Sequence, residues 1–300
     1  MPKHEDWKGN TDGTPWMHRV LIRLLRSVNL RWAYAVMGVC VVPPYLLFSR
    51  KGYRAIYRYF RRRHLMGRWE AFRHTCLNHY RFGQVILDRF AAYGGRQFHF
   101  EIDGNETFQH LLGSEGGFIV LSCHVGNYEL AGYTFRSSGK RYNALVFPKE
   151  AAVVMKNRQR LLSGNNIRMI PVRDDMEYVF QVSNALADGE VVSVPCDRLF
   201  GSPRFVECDV LGGRARLPLG PFAMAIQRGV PAVSVFVMKE TVYSYKVFVR
   251  PLELQYDASV LRPREKAAVL AQCFADELGR ILGQYKEQWF NYYDFWNDEK

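Results

Sequence analysis

The chain has 300 residues, 48% of them apolar, enough to bury a core and to exclude a disordered chain. Its 41 Lys and Arg against 29 Asp and Glu give a formal charge of +12, which implies an acidic partner: nucleic acid, an anionic membrane surface or an acidic protein. Six scattered cysteines with no Cys-x-x-Cys exclude a disulfide scaffold and a zinc knuckle, and point to reduced thiols facing the cytosol.

The basic surplus sits in the first hundred residues, which hold 18 Lys and Arg but five Asp and Glu. Met17, Val20, Leu21, Leu24, Leu25 and Val28 fall on one helical stripe, with Arg19, Arg23 and Arg26 on the other side. Trp32 to Phe48 then runs 17 residues without a charge. A straight helix of that length reaches roughly 25 Å, slightly short of a ~30 Å hydrocarbon core. Pro43-Pro44 would interrupt it. Seven Arg and Lys follow between Arg50 and Arg63 with no acid among them, interleaved with Tyr53, Ile56, Tyr57 and Phe60. A basic amphipathic helix beside an apolar segment suits an anionic leaflet. No helix-turn-helix, RNP or zinc-finger pattern supports nucleic acid as the partner.

From residue 98 the chain alternates. Strands are predicted at 98–102, 118–122, 142–147, 167–171, 191–195, 232–238 and 243–250, each short, rich in β-branched and aromatic residues, and bounded by Gly, Pro or Asn. Helices are predicted at 105–112, 128–136, 149–162, 174–187, 220–228 and 262–285. This order argues for an α/β fold: a mostly parallel central sheet with helices on both faces, preceded by an N-terminal helical membrane-associating segment. The boundary falls at Gly94-Gly95. Residues 1–95 then form the basic helical region and residues 96–300 the α/β domain.

Chemistry is expected at the carboxyl ends of the strands. Directly after Phe118–Ser122 come Cys123, His124, Val125, Gly126, Asn127, Tyr128 and Glu129. His124 leaves a buried strand, Gly126 permits a tight turn, and Asn127 can cap the helix that carries Glu129. A first-turn carboxylate folded back on the imidazole would fix its tautomer and make it a general base. The same spacing at His110 and Glu115 lies along a predicted helix, where the two side chains diverge.

The block from His124 to Glu129 resembles the His-x-Gly-Asn-(Trp/Tyr)-Glu motif of the bacterial late acyltransferases of lipid A biosynthesis, within the glycerolipid acyltransferases with a His-x4-Asp/Glu motif. The likeness extends over residues 20–290. Asp197 to Gly201 resembles that family's Asp-x3-Gly, Pro218-Leu219-Gly220 its Pro-x-Gly, and Glu287-Gln288-Trp289 its Pro-Glu-Gln-(Trp/Tyr), with Lys286 in place of Pro. The basic run usual after that aromatic is replaced by Phe290 to Trp296. The aromatic rings of this tail suit a membrane interface, and core packing explains them nearly as well.

The resemblance implies one-step acyl transfer. His124 would deprotonate an acceptor hydroxyl, with Glu129 orienting it, and the oxygen would attack an acyl thioester of acyl carrier protein or CoA. Backbone N–H groups near Gly126 and Asn127, or a cation, would hold the oxyanion. Lys149, Arg158 and Arg160 lie where the family has a basic residue after the next strand. Asp197 is expected to position the acceptor or cap a turn, and Arg214 and Arg216 to meet a phosphate or sugar from a loop at Gly212-Gly213. Cys123 is expected to project away from His124 and take no part. No metal or cofactor is implied, since neither a Gly-x-Gly-x-x-Gly nor a Walker loop opens a helix after a strand. The expected setting is the inner membrane with the site facing the cytoplasm. The expected acceptor is a lipid A precursor, or otherwise an aminolipid, a glycerophospholipid or a polyene pigment. A membrane-bound glycosyltransferase would need an Asp-x-Asp at a strand end, which this chain lacks.

Overall fold

A computed structural model describes residues 14–130, 139–146, 166–172, 177–199, 202, 204–254 and 260–297. Five helices come first: α1 (Pro15–Ser27), α2 (Leu30–Cys40), α3 (Val42–Phe48), α4 (Arg50–Arg62) and α5 (Arg68–Tyr93). Thr14 caps α1 by accepting the Met17 N–H at 3.3 Å, and Pro15 fills the first turn, where no N–H partner is needed. Asn29 caps α2 through the Arg31 N–H at 2.9 Å. The apolar run breaks at Val41. Pro43 and Pro44 sit in the first turn of α3 and withdraw the two N–H groups that would have bonded back into α2. Leu30–Phe48 is still long and apolar enough to cross a membrane by length and composition.

One side of this hairpin is buried. Leu30, Tyr34 and Met37 pack on α5, and Gly38 and Gly83 let the two helices approach: a Cβ at Gly38 would lie 2.9 Å from the Tyr80 ring, and one at Gly83 would overlap the Met37 sulfur. The other side is open, with Trp32 72%, Val39 75% and Phe48 85% exposed. Helix α5 has no clear apolar stripe in the sequence. It buries Thr75, Asn78, His79, Gln84 and Asp88 along with its apolar residues, so hydrophobic periodicity does not reveal it.

All seven predicted strands form. They are β1 (His99–Asp103), β2 (Phe118–Ser122), β3 (Tyr142–Val146), β4 (Ile167–Pro171), β5 (Val191–Pro195), β8 (Ala232–Lys239) and β9 (Ser244–Pro251). They make one sheet in the order β1-β9-β8-β2-β5-β3-β4, parallel except between β8 and β9. Every residue of β2 is buried: Ile119 and Leu121 face one core cluster, Phe118 and Val120 the other. Burial on both faces is why the central strands β2 and β8 read as continuous apolar runs, whereas the edge strands β1 and β4 carry exposed charged residues. Three further helices are α6 (Asn105–Gly113), α7 (Glu177–Ala187) and α8 (Leu219–Arg228), and a closing helix α9 (Pro263–Gln284) follows β9. Phe222 of α8 and Phe236 of β8 pack on Phe274 of α9, while Phe108 of α6 meets Phe118 edge-on from the other face. Of the predicted helix 128–136, residues Tyr128–Leu130 form a single 3-10 turn and 131–136 lie outside the described residues, as does all of 149–162.

Two strands were not expected. Antiparallel β6 (Phe205–Val210) and β7 (Gly213–Pro218) form a separate hairpin. Leu211 and Gly212 both take positive φ, the two-residue turn whose twist matches a hairpin. Arg214 and Arg216 therefore lie on a strand and not in a glycine loop, and both are drawn to Glu207 across the ladder, at 3.8 and 3.2 Å. The aromatic tail is also buried. Trp289, Phe290, Phe295 and Trp296 are each 5% exposed or less, so the interfacial placement of those rings gives way to core packing, with Tyr292 partly buried and Tyr293 the exposed member at 37%.

Candidate active site

Strands β2 and β5 are parallel neighbours in a register that pairs Ser122 with Pro195. Two residues further on, at the carboxyl ends of both strands, His124 stands beside Asp197. The Asp197 carboxylate accepts the His124 main-chain N–H at 3.0 Å and contacts the imidazole Nδ1 at 2.9 Å. Asn291 donates to the same carboxylate at 2.8 Å, and the Tyr293 hydroxyl donates to the Asp197 carbonyl at 2.8 Å. The tail reaches the site as an extra strand-like rung: Val125 pairs with Trp289, and the Phe290 N–H bonds the His124 carbonyl at 3.0 Å.

Burial alone would raise the Asp197 carboxyl, but His124, its backbone N–H and Arg198 outweigh it and hold Asp197 well below the usual carboxylate range. Asp197 is therefore an anion, and Nδ1 carries the hydrogen that it accepts. Burial, with Arg198 and Arg89 nearby, pushes the His124 imidazole below its ordinary value, and Asp197 offsets this only in part. The result is a neutral imidazole near pH 7, with Nε2 as the proton-accepting nitrogen.

Gly126 turns the chain after β2 with φ +59°, and a Cβ there would collide with the Val237 carbonyl oxygen. This is the tight turn expected of it. The oxyanion role expected of the adjacent amides is not supported. The Gly126 N–H is spent on the Gln288 carbonyl at 2.9 Å and the Asn127 N–H on the Val237 carbonyl at 2.7 Å. The Asn127 side chain, expected to cap a helix, instead accepts from Arg89 Nε at 3.2 Å and donates to the Tyr245 hydroxyl at 3.2 Å.

Glu129 does not take the place on the imidazole that the sequence suggested. Its carboxylate pairs with Arg89 at 2.7 Å and accepts from the Tyr93 hydroxyl at 3.1 Å, while Asp197 occupies Nδ1. Tyr128 lies between them, its ring edge-on to His124 at 5.2 Å with the Arg89 guanidinium 5.5 Å above it. Cys123 is buried and its thiol is pushed far up by burial, which removes the thiolate a nucleophile would need. Lys149, Arg158 and Arg160 lie outside the described residues. Arg214 and Arg216 make their polar contacts with Glu207. Among the described residues no group of three His, Cys, Asp or Glu side chains is arranged to hold a metal.

Sequence reasoning missed Arg89, Arg198, Asn291 and Tyr293. The pairing of His124 with Asp197 follows from strand register once β2 and β5 are known to be neighbours. The sequence carries no direct sign of that adjacency, because β3 and β4 intervene.

The model of the bacterial lipid A biosynthesis acyltransferase family matches residues 94–296. No curated protein matches the chain. Among solved structures the chain is similar to the 1-acyl-sn-glycerophosphate (LPA) acyltransferase PlsC from Thermotoga maritima, at 14% identity, covering 88% of this chain and 98% of that one, with a TM-score of 0.33.

Proposed function

Because the chain belongs to the bacterial lipid A biosynthesis acyltransferase family and is an acyltransferase acting on lipid, we propose that His124 is its general base and Asp197 the group that orients it. The observation that carries this reading is the buried Asp197 carboxylate on Nδ1 of a neutral imidazole at the carboxyl end of the central strands. An acceptor hydroxyl gives its proton to Nε2 as its oxygen bonds to the thioester carbonyl carbon. The tetrahedral adduct then expels the thiolate, which recovers the proton from the imidazolium. No group on the protein is acylated. Arg198, next to Asp197, donates to the side-chain oxygen of Asn291 at 3.2 Å, the same Asn291 that holds the Asp197 carboxylate, and is the cation assigned to the oxyanion.

The donor in this reading is an acyl thioester of acyl carrier protein or CoA. The acceptor is a hydroxyacyl group of a lipid A precursor in the cytoplasmic leaflet of the inner membrane. Support for the membrane setting is the exposed apolar side of α1 to α3, where Trp16, Trp32, Leu47 and Phe48 stand out, joined by Trp69 at the start of α5. Arg19, Arg23, Arg50, Lys51 and Arg54 add the charge that anionic headgroups attract. The other side of α2 is packed on α5, which carries Asn78, His79 and Asp88, and this supports a leaflet on the exposed side with the protein behind it.

The test is to incubate the purified full-length protein with labelled acyl carrier protein, or acyl-CoA, and total lipid extract, followed by mass spectrometry of the lipids. One added acyl chain on a lipid A precursor is the expected result. An unchanged lipid A fraction with label on another lipid would overturn the acceptor and leave the chemistry standing.

A further inference from the structure

Helix α5 ends beside the candidate site, just ahead of the matched residues 94–296. Two consecutive residues of its last turns, Asp88 and Arg89, hold the turn Asn127–Tyr128–Glu129 between them. Arg89 spans all three side chains: Nε donates to the Asn127 carbonyl oxygen at 3.2 Å, a terminal nitrogen pairs with Glu129 at 2.7 Å, and the guanidinium stands over the Tyr128 ring. Asp88 takes the other end of Asn127 through Tyr245, whose hydroxyl accepts from the Asn127 amide and donates to Asp88. Asp88 is itself fixed by Lys239 at 2.6 Å and by the Tyr34 hydroxyl. Asn127 and Asp88 are fully buried, and the Arg89 and Glu129 side chains are 17% and 10% exposed, so these contacts are poorly screened by water.

On the reading that His124 is the base, we infer that Arg89 is a positioning residue for acyl transfer, acting through Asn127, Tyr128 and Glu129 to hold the turn that flanks the imidazole. Glu129 then serves the reaction as the partner of Arg89 and not as the group on Nδ1. A planar fork is well shaped for this, because one guanidinium meets an amide oxygen and a carboxylate from two of its edges, which a lysine ammonium cannot reproduce. The positive charge also keeps the neighbouring imidazole from taking a proton.

The experiment measures turnover and its pH profile for the full chain in detergent micelles, with an acyl thioester and lipid extract, for Arg89→Met, Arg89→Lys, Glu129→Gln, Arg89→Met with Glu129→Gln, and His124→Ala. Circular dichroism checks each fold. Arg89→Met is expected to lower kcat about tenfold or more with KM little changed, and to move the acid limb of kcat/KM to higher pH. Arg89→Lys is expected to keep the acid limb and lose part of kcat. The double variant is expected to lose no more than the worse single one, since both act on one contact. Folded Arg89→Met protein with wild-type kcat and an unmoved acid limb overturns the inference, as do losses that multiply in the double variant. If Arg89→Met does not fold, Arg89→Lys and Glu129→Gln decide: wild-type turnover in both overturns it. His124→Ala separates the two readings. An active His124→Ala defeats the base itself, whereas an inactive one beside a wild-type Arg89→Met defeats only the clamp.

Discussion

His124 and Asp197 are 73 positions apart in the chain and 2.9 Å apart in space, because two parallel strands end at the same level of the sheet. The carboxylate is tied to both the ring and the main chain of the histidine, so its position is set by the sheet and not by a mobile loop.

Replacing His124 by Ala is expected to lower acyl transfer by about a hundredfold or more, with the far-ultraviolet spectrum unchanged. Asp197→Asn keeps the shape but removes the charge that selects the tautomer, and is expected to cost at least as much as about tenfold. Wild-type turnover in either variant refutes the assigned roles.

The pH profile carries a sign. A base must be unprotonated, and the folded imidazole lies below its ordinary value of 6.5. Activity is therefore expected to persist as pH falls through 6.5 and to be lost below it. Asp197 is the partner that raises the imidazole, so Asp197→Asn should shift the acid limb of its residual activity lower still. A limb at or above 6.5 in the wild type would contradict this environment for His124.

Gly126→Ala would drive a methyl group into the Val237 carbonyl in a left-handed turn. Thermal or urea unfolding should report a loss of about 2 kcal/mol or more, with turnover falling as the turn is displaced. A variant as stable as the wild type would mean that the turn relaxes freely.

Lys239→Met leaves the Asp88 carboxylate buried without its cation. A loss of about 3 kcal/mol is expected in unfolding experiments, well beyond that of an exposed pair such as Arg262 with Glu265. Equal costs for Lys239→Met and Arg262→Met would show the buried pair to be worth no more than a surface one.

Vesicle binding should depend on the exposed side of α2 and α3. Trp32→Glu with Phe48→Glu is expected to weaken binding to anionic vesicles at both low and 0.5 M salt, whereas Arg50→Gln with Arg54→Gln should weaken it mainly at low salt. Both side chains of the first pair are largely exposed, so folding should be unaffected. Unchanged vesicle binding in both pairs would exclude this face.

The sheet was legible because its central strands are buried on both faces and read as short apolar runs, and because Gly, Pro or Asn bound the strands, the partly exposed edge strand His99–Asp103 included. The hairpin was not, although Cys208 and Val210 alternate with Glu207 and Asp209, because Gly212-Gly213 between arginines reads as a loop. His124 was legible from its place after β2. Its partner was not, since sequence order puts β3 and β4 between the two strands, and a nearer carboxylate at Glu129 offered a local answer. Arg89 was hidden in a helix without a clean apolar stripe. Asn291 and Tyr293 were hidden among aromatic residues whose burial depends on contacts with Asn78 and Phe82, about two hundred positions earlier.

The cluster of Tyr34, Asp88, Lys239 and Tyr245 joins one residue each from α2, α5, β8 and β9. Peeling the amino-terminal helices from the sheet would break the Lys239–Asp88 pair and the Tyr34 and Tyr245 hydroxyl bonds to it, and would open to water the contacts of Leu30, Tyr34 and Ala91 with Phe98 and Val242. That makes partial detachment costly. The amino-terminal helices and the central sheet should thus melt as one cooperative unit, with a single calorimetric peak and no protease-sensitive intermediate that sheds the first ninety residues.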